Sequence, residues 1–215
     1  MGGAPAPVTP SEFQVRHDVD RIQRGRSRAL LANLNAPCLA RRTRLAKPAS
    51  YADIRSVDFR NAEYPSGCSG LIRDPRFGAV IHVKNGEWKT GPNASDAYFS
   101  VNHVFYDDVD GDGRAEAIVT TACSIYGANY WETEVYVFQL ADGQARLVQR
   151  LSSNDWYGPE GGYRVAAVGV LGHEIRVSYL AGGSHAQPAW EITAGFKWNG
   201  NRFVRAHTDR RAFKG

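Results

Sequence analysis

The stretch Thr133-Glu134-Val135-Tyr136-Val137-Phe138-Gln139-Leu140-Ala141-Asp142-Gly143-Gln144-Ala145-Arg146-Leu147-Val148-Gln149-Arg150-Leu151 decides the fold. Two runs, Thr133–Leu140 and Ala145–Leu151, flank Asp142-Gly143, a dipeptide that supplies the positive φ angles of a tight hairpin turn. Within the first run, Val135, Val137 and Gln139 alternate with Tyr136, Phe138 and Leu140. Both faces are nearly all apolar, so this strand is expected to be central and covered on both sides.

Working outward, three more apolar pairs carry turn signals. Ala79–Val83 and Trp88 flank Asn85-Gly86, Tyr163–Leu171 and Glu174–Leu180 flank Gly172-His173, and Ala189–Trp198 and Arg202–Val204 flank Asn199-Gly200. Four successive hairpins predict an antiparallel meander, either a twisted sheet or an open barrel. No repeat of about 40–50 residues is present, which argues against a full propeller. Ile54, Val57 and Phe59 predict a short extended run that opens this β body and closes at Tyr64-Pro65-Ser66-Gly67.

Upstream the character differs. Thr9-Pro10-Ser11-Glu12 has the capping residue, first-turn proline and acidic residue of a helix start. Residues 10–35 are expected to form one or two helices and residues 36–50 a basic connector. The chain therefore reads as a mainly β (α+β) protein, with a basic helical arm and linker at 1–50 and a β-rich domain at 51–215. The N-terminal helix is the expected cover for one face of the central strand. Met1-Gly2-Gly3-Ala4-Pro5-Ala6-Pro7 lacks the basic and apolar regions of a signal peptide and reads as a mature N-terminus.

The composition, 43% hydrophobic and 22% charged over 215 residues, excludes collagen, a long coiled coil and wholesale disorder. No run reaches the roughly 18 apolar residues of a membrane-spanning helix. The net charge of +4 is uneven: residues 1–50 carry +6 and the remainder −2. Arg21, Arg24, Arg28, Arg41, Arg42 and Arg44 make the arm a candidate for an anionic surface, and they equally suit a solvated helix face. Cys38, Cys68 and Cys123 form no C-x-x-C pair. Cys68 and Cys123 are a disulfide candidate, worth roughly 4 kcal/mol of chain entropy for the loop they would close; the alternative is three reduced, buried thiols. The six histidines show no ligand spacing, and no nucleophile elbow, phosphate loop or dinucleotide fingerprint is present.

Asp108-Val109-Asp110-Gly111-Asp112-Gly113-Arg114-Ala115-Glu116 is the sharpest motif. Alternate carboxylates converge when the chain wraps tightly, and Gly111 and Gly113 permit the wrap. Asp108, Asp110 and Asp112 are expected to supply side-chain oxygens, Arg114 its carbonyl, and Glu116 a further carboxylate, a hard-oxygen set that suits Ca²⁺ in a structural role. Position twelve is Val119 rather than Glu, and Ala117–Thr121 reads as strand, so the motif is not an EF-hand. The same run also serves as a polar turn capped by its own side chains.

With its following strand, this loop resembles the metal loop of FG-GAP/VCBS-type β-repeats. The stretch from Val57-Asp58-Phe59 through Glu134–Phe138 to Gly161-Gly162-Tyr163-Arg164 is similar to a group of uncharacterised bacterial envelope proteins. The resemblance covers roughly residues 54–204 and implies an extracytoplasmic β domain, periplasmic or secreted, with no assigned activity. The loop occurs once here, unlike in repeat propellers.

Two aromatic, glycine-rich loops complete the reading: Tyr126 to Glu132, with Tyr130 and Trp131, and Asn154 to Gly162, with Asp155, Trp156, Tyr157 and Glu160. Flat aromatic faces beside orienting polar groups suit a glycan, peptide or protein partner, and Trp131 and Trp156 equally suit closing the end of the core. The expected function is a non-enzymatic binding domain. The alternatives are an envelope-polymer hydrolase using Glu132, Asp155 or Glu160, and anionic-polymer binding through the arm.

Overall fold

The computed structural model describes residues 50–65, 79–91, 97–124, 131–159 and 161–214. The chain divides between Leu45 and Ala46, and these residues all belong to the second part. The expected helical arm lies outside them. So do Cys68, Tyr126, Tyr130 and Glu160.

The protein is mainly β and antiparallel throughout. Strands β1 (Glu63–Pro65) and β2 (Val80–His82) form a small pair. Strands β3 (Glu87–Lys89), β4 (Tyr98–Asp107), β5 (Glu116–Ser124), β6 (Glu132–Ala141) and β7 (Gln144–Leu151) form a five-stranded meander. After a one-turn helix α1 (Ser153–Trp156), strands β8 (Arg164–Val170), β9 (Glu174–Gly183), β10 (Pro188–Trp198) and β11 (Phe203–Ala212) form a four-stranded meander. Among the described residues no helix is long and apolar enough to cross a membrane.

The turn signals act locally as expected. Asp142 and Gly143 (φ 54° and 70°) close β6–β7, and Gly172 and His173 (φ 60° and 58°) close β8–β9. Asn85 and Gly86 also adopt positive φ, and Lys84 and Glu87 exchange backbone hydrogen bonds. The two strands they join then diverge, β2 to β1 and β3 to β4. The predicted hairpin is thus a corner between sheets. The predicted extended run at Ile54–Phe59 is instead two 3₁₀ turns, Ile54–Ser56 and Phe59–Asn61. Asp53 and Asp58 account for this, because their carboxylates accept the N–H groups of Arg55 (2.9 Å) and Arg60 (3.1 Å). Such local capping favours turns over extended chain.

Every residue of β5 is buried, and alternate side chains enter two different cores. On one face Ala117, Val119 and Cys123 join Tyr136 and Phe138 of β6 with Ile54, Phe59, Tyr64, Ile81 and Phe99. On the other, Ile118 joins Val135 and Val137 with Ile175, Val177, Tyr179, Ile192 and Phe196 of the second sheet. β6, the strand expected to be central, is covered on both faces by these two cores, whereas the middle strand of the sheet is β5. The expected N-terminal helix lies outside the described residues; among these, Ile54, Phe59, Tyr64 and Ile81 cover this face, where Tyr64 packs against Phe99 and Tyr136 and its hydroxyl donates to the Phe59 carbonyl (2.6 Å).

Two polar pins set register. Asn102 is the extra residue of a bulge in β4, and Thr120 Oγ1 accepts the His103 N–H there (3.1 Å). At the far edge of the sandwich, the Gln149 amide mimics a peptide unit. Its Oε1 accepts the Phe203 N–H (2.7 Å), and its Nε2 donates to the Phe203 carbonyl (3.1 Å).

Candidate functional site

The acidic loop connects β4 to β5 and is rooted in the sandwich by Val109, which is buried in the core between the two sheets. With the intervening residue anchored inward, Asp108 and Asp110 flank it. Gly111 and Gly113 adopt positive φ (81° and 85°). Asp108 accepts the N–H groups of Gly111 (2.8 Å) and Gly113 (3.0 Å), and Asp110 accepts that of Asp112 (3.0 Å). The loop is thus wound by its own carboxylates.

Asp108, Asp110 and Glu116 each bring a carboxylate oxygen within 4.8 Å of the others. Three hard, negatively charged ligands at this spacing can hold a metal ion. Glu116 sits at the start of β5, only 3% exposed, and accepts the Val109 N–H (3.1 Å). Burial first, and then the charge of Asp110, push its carboxyl up to about 7; the N–H groups of Val109 and Asp110 oppose this. A cation among these oxygens would replace mutual repulsion by attraction.

The Asp112 carboxylate, expected as a further ligand, is engaged by its neighbour. Asp112 turns to Arg114: its Oδ1 accepts the Arg114 backbone N–H (2.8 Å), and its Oδ2 accepts Nε of the same residue (3.0 Å). These hydrogen bonds hold the Asp112 carboxyl below the usual carboxylate range. The Arg114 side chain therefore neutralises Asp112 rather than leaving it for the three-carboxylate group. His173 was not foreseen. From the β8–β9 turn its Nδ1–H donates to the Asp108 carbonyl, and Nδ1 lies 4.0 Å from Asp108 Oδ2. No spacing rule connects residues 65 positions apart, so only the stacking of the two sheets reveals this contact. Beside the loop, Arg55, Arg114, Glu116 and Gln139 line a cleft of about 420 Å³.

The aromatic loops divide. Trp131 is 50% exposed and packs edge-on against Tyr98 (centroids 5.5 Å apart). The Tyr98 hydroxyl in turn donates to Glu87 (3.0 Å). Trp156 is fully buried in the inter-sheet core, so it is a packing residue with no face for a ligand. Tyr157 packs on Tyr179 (5.0 Å). Asp155 caps α1, accepting the Ser152 N–H (2.7 Å), and Glu132 is 4% exposed and accepts the Ser153 hydroxyl (2.9 Å). Glu132 thus fastens α1 to β6 while Asp155 caps its own helix, an arrangement unlike an open glycosidase pair. Cys123, in the first core, is disulfide-bonded.

Comparisons with family models, with curated proteins and with solved structures find no match for this chain.

Two outcomes follow. Trp156→Ala is expected to lower unfolding stability by about 3–5 kcal/mol, read by denaturant titration. Without added metal, Glu116 binds its proton more tightly in the folded chain than in the unfolded one. Its contribution is complete below its ordinary value and is lost as pH rises through about 7. Metal-free melting temperature should therefore fall between about pH 5 and about pH 8, and Glu116→Gln should flatten that fall.

Proposed function

We propose that this chain is an extracytoplasmic, non-enzymatic binding domain whose β4–β5 loop holds one structural Ca²⁺. The observation that carries the reading is the convergence of Asp108, Asp110 and Glu116 on one point, with the loop backbone wound around them. Three carboxylates supply up to six oxygens, and Ca²⁺ takes six to eight, so loop carbonyls or water complete the shell. The FG-GAP/VCBS-like character of the loop belongs to this proposal. The disulfide at Cys123 supports a compartment outside the reducing cytoplasm.

The binding role rests on Trp131, a half-exposed indole braced edge-on by Tyr98. A rigid, exposed aromatic face of this kind suits the apolar face of a sugar ring or an aliphatic peptide side chain. The engaged state of Glu132 and Asp155 supports binding over hydrolysis.

Melting in EDTA and in millimolar Ca²⁺ tests the metal. A rise is expected, about 2.7 kcal/mol at roughly 100-fold excess over Kd, and Asp110→Asn should abolish it; equal melting with and without Ca²⁺ removes the metal from the account. A glycan and peptide array probed with wild type and Trp131→Ala tests the surface. Signals that vanish in the variant, at unchanged melting temperature, are expected. Signals unchanged by the variant would place recognition elsewhere.

A further inference from the structure

One peptide unit of the acidic loop is held from both sheets. The Asp108 carbonyl accepts the Nδ1–H of His173, which stands on the β8–β9 turn of the four-stranded sheet. The N–H of the same unit, that of Val109, donates to Glu116 Oε2 (3.1 Å) at the start of β5 in the five-stranded sheet. A peptide unit is planar and stiff, so fixing its oxygen also fixes the direction in which its N–H points. His173 is thereby joined to the Glu116 carboxylate through one rigid group.

The same unit governs the other two carboxylates. Asp108 is its first residue, and Asp110 follows directly after Val109, whose side chain is buried in the inter-sheet core. With Val109 buried and the unit pinned at both ends, the backbone has little freedom to swing Asp108 or Asp110 away from Glu116. The three carboxylates converge within 4.8 Å around this pinned segment. Asp108 then winds the remainder of the loop by accepting the N–H groups of Gly111 and Gly113.

The turn that carries His173 does not itself require an imidazole. Gly172 and His173 both adopt positive φ (60° and 58°), and the Leu171 N–H donates to the Glu174 carbonyl (3.0 Å), closing a two-residue hairpin. Glycine or asparagine makes such a turn readily, and other side chains adopt this conformation less often. What the ring adds is an N–H donor aimed at a loop of the opposite sheet. It faces Asp108 twice, at the carbonyl and, with Nδ1 4.0 Å away, at Oδ2.

We propose that His173 is a positioning residue for the acidic loop. It locks the Asp108–Val109 peptide from the second sheet, presets the three carboxylates and couples their cation affinity to the β8–β9 turn. The cation part rests on the Ca²⁺ reading above; the locking does not. Coupling is reciprocal, so a cation on the carboxylates steadies the turn in return. Groups that orient metal ligands without touching the ion contribute about 10–100-fold in affinity.

Three versions of the full chain test this: wild type, His173→Gly and His173→Asn. Both replacements accept positive φ. Glycine removes the donor, whereas the asparagine amide nitrogen sits one bond from Cγ, as Nδ1 does. In calorimetric titrations the glycine variant is expected to bind Ca²⁺ at least about tenfold more weakly, and the asparagine variant to stay near wild type. In metal-free protein, hydrogen exchange at the Val109, Gly111 and Gly113 amides should quicken in the glycine variant and not in the asparagine one. In wild type, Ca²⁺ should slow exchange at the amides of the β8–β9 turn, a readout that needs no variant to fold. Equal Kd and unchanged loop exchange across the three proteins would overturn the proposal, as would a wild-type turn indifferent to bound Ca²⁺. A wild type without saturable Ca²⁺ binding would remove the cation reading alone, and the metal-free exchange would then decide the locking.

Discussion

Complete burial of β5 is the constraint on which the rest of the structure depends. A strand covered on both faces cannot leave either set of side chains unmatched, so each face must be supplied with its own core. Ile54, Phe59, Tyr64 and Ile81 supply one and the four-stranded sheet the other. The acidic loop enters β5 directly, with Glu116 as its first residue and Val109 held in the inter-sheet core. The acidic loop is therefore clamped to a fully buried strand. This attachment holds three carboxylates at short range, and burial of Glu116, with the charge of Asp110 second, raises its proton affinity.

Buried hydroxyls in this interior find partners, whereas the Trp156 Nε1–H is buried without a hydrogen-bond acceptor. The Tyr64 hydroxyl finds the Phe59 carbonyl, and that of Tyr136 finds Glu134 (2.8 Å), which also faces Arg150 at 3.8 Å. Burial pushes both tyrosine hydroxyls well above their ordinary range. Glu132 and Asp155 follow the same logic at the end of β6, where each accepts a hydrogen bond from the segment around α1. Their chemistry is spent on holding the chain after β7 in place, which is why their acidic character does not translate into a reactive pair.

What could be read from the sequence was local. Asp142-Gly143 and Gly172-His173 specify their own backbone angles, and the two-faced pattern of Glu134–Leu140 announces a covered strand without any knowledge of its neighbours. Likewise, the spacing of Asp108, Asp110 and Glu116 around two glycines was enough to bring three carboxylates together. What escaped depended on longer range or on finer competition. Alternation at Ile54, Val57 and Phe59 suggested a strand, but the caps from Asp53 and Asp58 won locally. The pairing of Asp112, a ligand candidate by position, with Arg114 two residues away was not foreseen. Trp156 suited either a binding loop or the end of the core, and the inter-sheet core takes it up completely. His173 meets Asp108 only because two separately formed sheets stack.

The most direct test of the account is a calorimetric titration of Ca²⁺ into metal-free protein, repeated in buffers of different ionisation enthalpy. Saturation at one ion per chain is expected, with proton release near neutral pH as Glu116 becomes a ligand. Absence of saturable binding would show that the three carboxylates serve only as turn caps and would contradict the account at its centre.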